Sequence, residues 1–336
     1  MVSSGRSTIL VANPFWRNLR DVRVGNLAMG WRINGTSRLS CQMRAQDAHL
    51  LGFDALLGRW VYVNTPLGPW GGLIEDTPSR IDEETIEFSC VDHAAHLDTA
   101  ITPRTYRQSS GTAGSLISLA ISESGSDEAL PFDSVACDED GAPVTVEWRG
   151  EITGRVVQSL ARGASGMWTV ATTSARKINF TYLAKSTDKR GSILLIEGLN
   201  VYGGSVKPSI SGLVNDLLGI ANDRDWQRAS GARVIDADSV ITYGRRRGTT
   251  RYAGHTRRSS LESVARADLE TLARPSGPVS LEMSDRNPLA WEIREGQVVR
   301  LWSSSQNRRY DLTVTGRAWE STRGTATIVG TVIEEA

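Results

Sequence analysis

The sequence predicts a mainly β fold with an α+β insert, and three observations carry that reading. Short apolar runs with period-two alternation fill both ends of the chain. Many of the 32 glycines fall between those runs, where tight turns are needed. One β-type phrase also appears twice: "LLGRWVYVNTPLGPWGGLIEDTP" at 56–78, and "WEIREGQVVRLW" at 291–302 with "SSSQNRRYDLTVTGRAWE" after it. At 336 residues the chain exceeds one ordinary core. It divides into a β-unit at 1–100, an α+β module at 101–204, and a second β-unit with one amphipathic helix at 205–336.

The elements follow in order. In "SRLSCQMRA", Leu39, Cys41, Met43 and Ala45 alternate with polar residues, as a half-buried strand requires. "GRWVYVN" is apolar on both faces, "PWGGLIEDTP" supplies the returning strand, and "ETIEFSCVD" alternates through Ile86 and Phe88. Such strands with Gly and Pro between them point to a small antiparallel barrel or sandwich. "SSGTAGSLISLAISESG" reads as a helix capped by Ser110 or Thr112, with Leu116, Leu119 and Ala120 on one face. The stretch from Ser122 to Pro143 has seven acidic residues and no basic one, the pattern of a solvated loop. A second helix is expected from Thr153, placed to cap it, to Gly163; "MWTVATT", "INFTYLA" and "SILLIEGLNV" read as strands.

"LVNDLLGIAN" fits either a strand or a short helix, and "SVITYG" reads as a strand ending at Gly244. The strongest helix spans 259–273. Ser259 and Glu262 match a capping box, Leu261, Val264, Ala265, Leu269, Leu272 and Ala273 form the stripe, and Pro275 ends it. The closing strands, each a turn from its neighbour, favour another barrel.

Chemistry leaves few marks. The 38 Lys and Arg balance 38 Asp and Glu, so no global field draws the chain to nucleic acid or a membrane. Cys41, Cys90 and Cys137 lack metal-ligand or redox spacing and read as free thiols in a reducing cytosol. No signal peptide and no run of 18 apolar residues is expected. In "DHAAHLD", His93 and His96 offer two metal ligands but no third group completes a set, so they read as surface or partly packed. No phosphate-binding loop, dinucleotide fingerprint or nucleophile elbow occurs, and neither catalytic residue nor cofactor is assigned. The six arginines of "GRRRGTTRYAGHTRR", Arg245, Arg246 and Arg247 among them, lack the interleaved aromatics of a single-strand binder. With Trp60, Trp70, Trp291 and Trp302 they fit interface anchors better than a small-molecule pocket.

Taken in order, "SRLSCQMRAQDA", "LLGRWVYV", "GPWGGLIED", "FSCVDHAAHL", "ADSVITYGRRR" and "LEMSDRNPLAWEIREGQVVRL" resemble the baseplate hub, or tail-associated minor tail protein, of tailed bacteriophages and contractile injection machines. The resemblance implies two similar small antiparallel β-barrels flanking the helix-containing module. It also implies a homotrimer whose six barrels make a pseudo-sixfold ring between a hexameric tail tube and a trimeric tip. The implied partners are a tail tube or distal tail protein, a tip, spike or fibre protein, and a tape-measure protein; nucleic acid would only pass through. The implied place is the virion tail tip, after synthesis in the host cytoplasm. A tail-associated cell-wall hydrolase is the alternative.

Overall fold

Strand pairing makes the duplication visible. The computed structural model describes residues 7–51, 56–76, 84–103, 107–124, 130–141, 143–184, 193–207, 209–221, 231–252 and 258–335. The first unit contains β1 (Ser7–Asn13), β2 (Arg17–Arg32), β3 (Arg38–Arg44), helix α1 (Ala45–Leu51), β4 (Trp60–Thr65), β5 (Gly68–Asp76) and β6 (Thr85–Asp92). Its strands lie in the order β1-β4-β5-β6-β3-β2. β2 returns to β1 from Ser7 opposite Val24 to Asn13 opposite Arg17, closing an antiparallel barrel. Leu39, Cys41, Met43, Ile86 and Phe88 all point inward, as their alternation requires. Each large apolar side chain so buried contributes about 1.5–3 kcal/mol.

The module continues with α2 (Ala95–Thr99), β7 (Arg107–Gly111), α3 (Ala113–Ser124), β8 (Ser134–Cys137), β9 (Val144–Trp148), α4 (Thr153–Gly163), β10 (Met167–Thr172) and β11 (Ile178–Leu183). Thr112 starts α3: its hydroxyl accepts from the Ser115 N–H at 3.2 Å. Thr153 does not cap α4. Ile152 holds that place, while the buried Thr153 hydroxyl lies 2.5 Å from that of Ser124 and ties α4 to α3. The acidic stretch is not wholly a loop either. Within it β8 runs parallel to β11, and the Asp133 carboxylate just before it accepts from the Ile178 N–H at 2.7 Å.

Then come β12 (Leu194–Ile196), β13 (Gly203–Val206), β14 (Asp216–Ala221), β15 (Gly231–Ile235), α5 (Ala237–Tyr243), β16 (Arg247–Tyr252) and α6 (Arg258–Leu272). The chain ends with β17 (Pro278–Ser284), α7 (Pro288–Glu292), β18 (Val298–Ser303), β19 (Arg308–Glu320) and β20 (Thr325–Glu335). "SVITYG" is helix α5, not a strand. Asp236 accepts the Ser239 N–H at 2.9 Å and starts the turn, and the β-branched Ile241 simply faces solvent. α6 begins before Ser259, which therefore lies inside its first turn rather than capping it; Glu262 pairs instead with Arg266. Leu261, Val264, Ala265 and Leu269 are buried as the stripe requires, against β14 and β15 rather than a barrel wall.

The second six strands are β12, β13, β17, β18, β19 and β20, in the order β12-β18-β19-β20-β17-β13. Numbered within each unit, both orders read 1-4-5-6-3-2. Residue 205, where the sequence puts its last division, lies inside β13, because β12 and β13 already belong to this unit. One helix, α1 or α7, follows strand 3 in each.

Local geometry repeats too. Gly58 donates to the Ile74 carbonyl and Ile74 to that of Arg59; Gly296 donates to Val314 and Val314 to Gln297. Both glycines have positive φ, +74° and +86°. The register shifts between Ile74 and Asp76 and again between Val314 and Gly316. Two differences stand out. β12 is parallel to β18 whereas β1 is antiparallel to β4, and among the described residues β12 and β13 do not pair, the bridge of Glu197 to Val201 lying between them. β2 and β19 join the units into one twelve-stranded sheet over a shared apolar core.

Candidate assembly surface

The seam between the units is built around one buried cation. Arg32 lies opposite Gly316 and Ala28 opposite Glu320 along the β2–β19 ladder. Next to it the Arg317 side chain is 4 % exposed. Its Nε donates to Glu295 at 2.6 Å, and its Nη1 reaches the Leu67 carbonyl at 3.4 Å in the β4–β5 turn. The guanidinium also sits 5.1 Å above the Trp31 ring. Glu295 belongs to the second unit and Leu67 and Trp31 to the first, so Arg317 fixes their mutual orientation. A buried pair of this kind contributes specificity of geometry more than net stability. The strand pattern could not reveal it, because the shift at Val314/Gly316 changes which side chains face inward.

The residues expected at an interface are not gathered in one place. Trp60 and Trp70 are buried within the chain, at 5 % and 2 % exposure, and neither ring is available to a partner. Trp60 packs edge-on against Trp16 at 4.9 Å and His93 at 4.7 Å; the Trp70 indole donates to the Gly30 carbonyl at 3.1 Å. Trp291 is 43 % exposed, its indole donating to the Asp285 carbonyl; Leu199 and Tyr202 are exposed too, flanking Asn200, whose carbonyl accepts from the Asn287 amide before α7. Trp302 is half-buried, with the Arg309 guanidinium 5.6 Å over its ring.

Of the three arginines, Arg245 and Arg247 do gather, around a carboxylate that the sequence does not single out. Asp216 opens β14 with its side chain almost wholly covered. It takes two hydrogen bonds from Arg233, at 2.7 and 2.5 Å, while Arg245 and Arg247 lie at 3.6 and 3.5 Å. The Arg233 hydrogen bonds, helped by the other two charges, hold the Asp216 carboxyl below the ordinary range. Arg246 turns away: its N–H donates to Asn215 and its guanidinium to the Ile210 carbonyl.

His93 is wholly buried, deeper than the surface or partly packed place expected of it, while His96 is half-buried, as a partly packed residue. Their rings stack with centroids 5.6 Å apart, and His93 Nδ1 lies 3.4 Å from His96 Nε2. Burial, then the neighbouring His96, pushes His93 down to about 3. Beside them Asp92 accepts the N–H groups of Ser37 and Ala94, yet burial raises its carboxyl to about 7. Among the described residues no three His, Cys, Asp or Glu side chains gather as a metal would need.

Comparison with solved structures shows a fold shared with tail proteins of prophages. No family model matches the sequence, and no curated protein does. The 43 kDa tail protein of prophage MuSo2 from Shewanella oneidensis is similar with a TM-score of 0.64 and 14 % identity, over 98 % of this chain and 97 % of that one. The tail protein from Neisseria meningitidis MC58 gives 0.64 at 10 % identity, over 98 % and 97 %. Prophage tail protein gp18 from Listeria monocytogenes gives 0.59 at 12 %, over 97 % and 94 %.

Proposed function

We propose that the chain is a structural hub of a phage tail or related injection machine. One observation carries the reading: a single polypeptide writes the same six-strand order twice and fuses both units into one sheet. Three such chains closed head to tail present six similar docking faces to a hexameric tube, and three copies of everything else to a trimeric tip. Its partners are then a tail tube or distal tail protein, a tip, spike or fibre protein, and a tape-measure protein. Its place is the tail tip of the virion, after synthesis in the host cytoplasm. The role is scaffolding rather than catalysis. The fold likeness to phage tail proteins supports this.

Light scattering on the purified protein is expected to give three copies, and immunogold labelling to mark the tail tip of particles. A protein that stays monomeric at every concentration and never enters a tail overturns the proposal.

A further inference from the structure

The segment between β13 and β17 carries a sheet with one open face. It leaves the second unit at Ser209 and returns at Ser276, the two residues bridging each other. Its three strands lie in the order β15-β14-β16. Alternation sends Leu217, Ala221, Ala232, Val234 and Tyr252 to one face, where they pack against Leu261, Val264, Ala265 and Leu269 of α6. The opposite face points away from α6. It mixes two chemistries. Leu218 and Ile235 are large apolar side chains left exposed on it, and Ile220 continues their row. Leu218 lies opposite Arg233 and Ile235 opposite Asp216, so the two apolar residues are diagonal neighbours across β14 and β15. Guanidinium groups border this row: Arg233 on β15, Arg247 and Arg251 on β16, and Arg245 just before β16. Four arginines stand there against one carboxylate of the face, Asp216. Arg233, Arg245 and Arg247 all reach that carboxylate, yet half or more of each side chain is exposed. Asp216 thus restrains three long side chains in advance, which lowers the entropy lost when a partner arrives.

We infer that this face binds an acidic amphipathic helix of another protein, one whose apolar stripe is bordered by Asp and Glu. Three features select that occupant. The arginine surplus demands a negative partner, and opposite charge around an apolar strip fixes its orientation. The exposed Leu218 and Ile235 favour protein over nucleic acid, because a phosphate backbone has no apolar group to cover them. The sheet itself favours a helix: α6 already closes one face, and a helix laid on the other buries the apolar row as paired layers do within domains. The inference does not depend on the ring reading, since a monomer carries the same face.

The test uses the full chain and a dye-labelled synthetic helix with leucine at every third or fourth place and glutamate elsewhere, followed by fluorescence anisotropy. This acidic helix is expected to bind and to weaken as salt is raised. The same helix with lysine in place of glutamate is expected not to bind. The double variant Arg245→Ser, Arg247→Ser is expected to weaken binding of the acidic helix about tenfold, and Leu218→Ser about fivefold. All three side chains are exposed, so the thermal transition is expected to be retained. A short DNA duplex that binds more tightly than the acidic helix overturns the proposal in favour of a phosphate ligand. Failure of the acidic helix to bind, or binding that survives all three substitutions, overturns it outright.

Discussion

Arg317 shows how much one side chain can decide. It donates to Glu295 and to the Leu67 carbonyl and covers Trp31, so truncation strips a buried carboxylate of its hydrogen-bonded cation and leaves a hole in the seam. Arg317→Ala is expected to cost about 3–5 kcal/mol, read by chemical denaturation. Asp92 and His93 make a second residue-scale case, with opposite signs. Asp92 is raised in the fold, so its contribution is present below the ordinary carboxylate range near 4 and is lost as pH rises through about 7. His93 is lowered, so its contribution is present above about 6.5 and is lost as pH falls towards about 3. Asp92→Asn removes the first dependence only. Its melting temperature relative to the parent is expected to climb between pH 4 and 7; a constant difference would count against a buried titrating carboxyl. Neither group was legible in the sequence. The pattern "VDHAAHLD" gives no sign that the His pair is packed under Trp60, and a tryptophan in a strand looks alike whether it faces a core or a partner.

Among the elements, β3 and β6 were legible from their two-residue period, and β4, β5 and β18 from the apolar runs that mark them. The stripe of α6 was equally plain. What misled was local chemistry that competes with propensity. Val240 and Ile241 favour strand in isolation, but the Asp236 cap selects helix for α5. β8 hides in an acidic stretch because it is short and its side chains are largely exposed, which removes the apolar signal. The repeated "GR" and "GQ" at 58–59 and 296–297 carry more than the sequence shows. Both glycines start a strand-4 and strand-5 hairpin from a left-handed conformation that costs other residues about 1–2 kcal/mol. Gly58→Ala and Gly296→Ala are each expected to lower stability by about that amount in urea titrations. Gly296→Ala is expected to lose slightly more, since its new methyl meets Met167 Cε at 3.3 Å whereas nothing crowds Gly58.

For the whole molecule, the echo between the two ends was the legible part, and the strand order 1-4-5-6-3-2 in both units is its structural form. The fused sheet was not legible, because pairing between β2 and β19 joins residues nearly a chain length apart and leaves no mark in either segment. Nor did the sequence show where the second unit begins, since β12 and β13 are three and four residues long.

The bridge between Ser209 and Ser276 has a further consequence. Everything from Val214 to Leu272, with its three-stranded sheet and α6, leaves and re-enters the fold at two residues lying side by side, as the arms of a hairpin do. In the first unit the same position is only the short link from Ile33 to Ser37. An ornament hung on one of two otherwise alike units gives each pair a front and a back. Alternate positions around any closed assembly can then be told apart by whatever docks there, with the supporting wall unchanged.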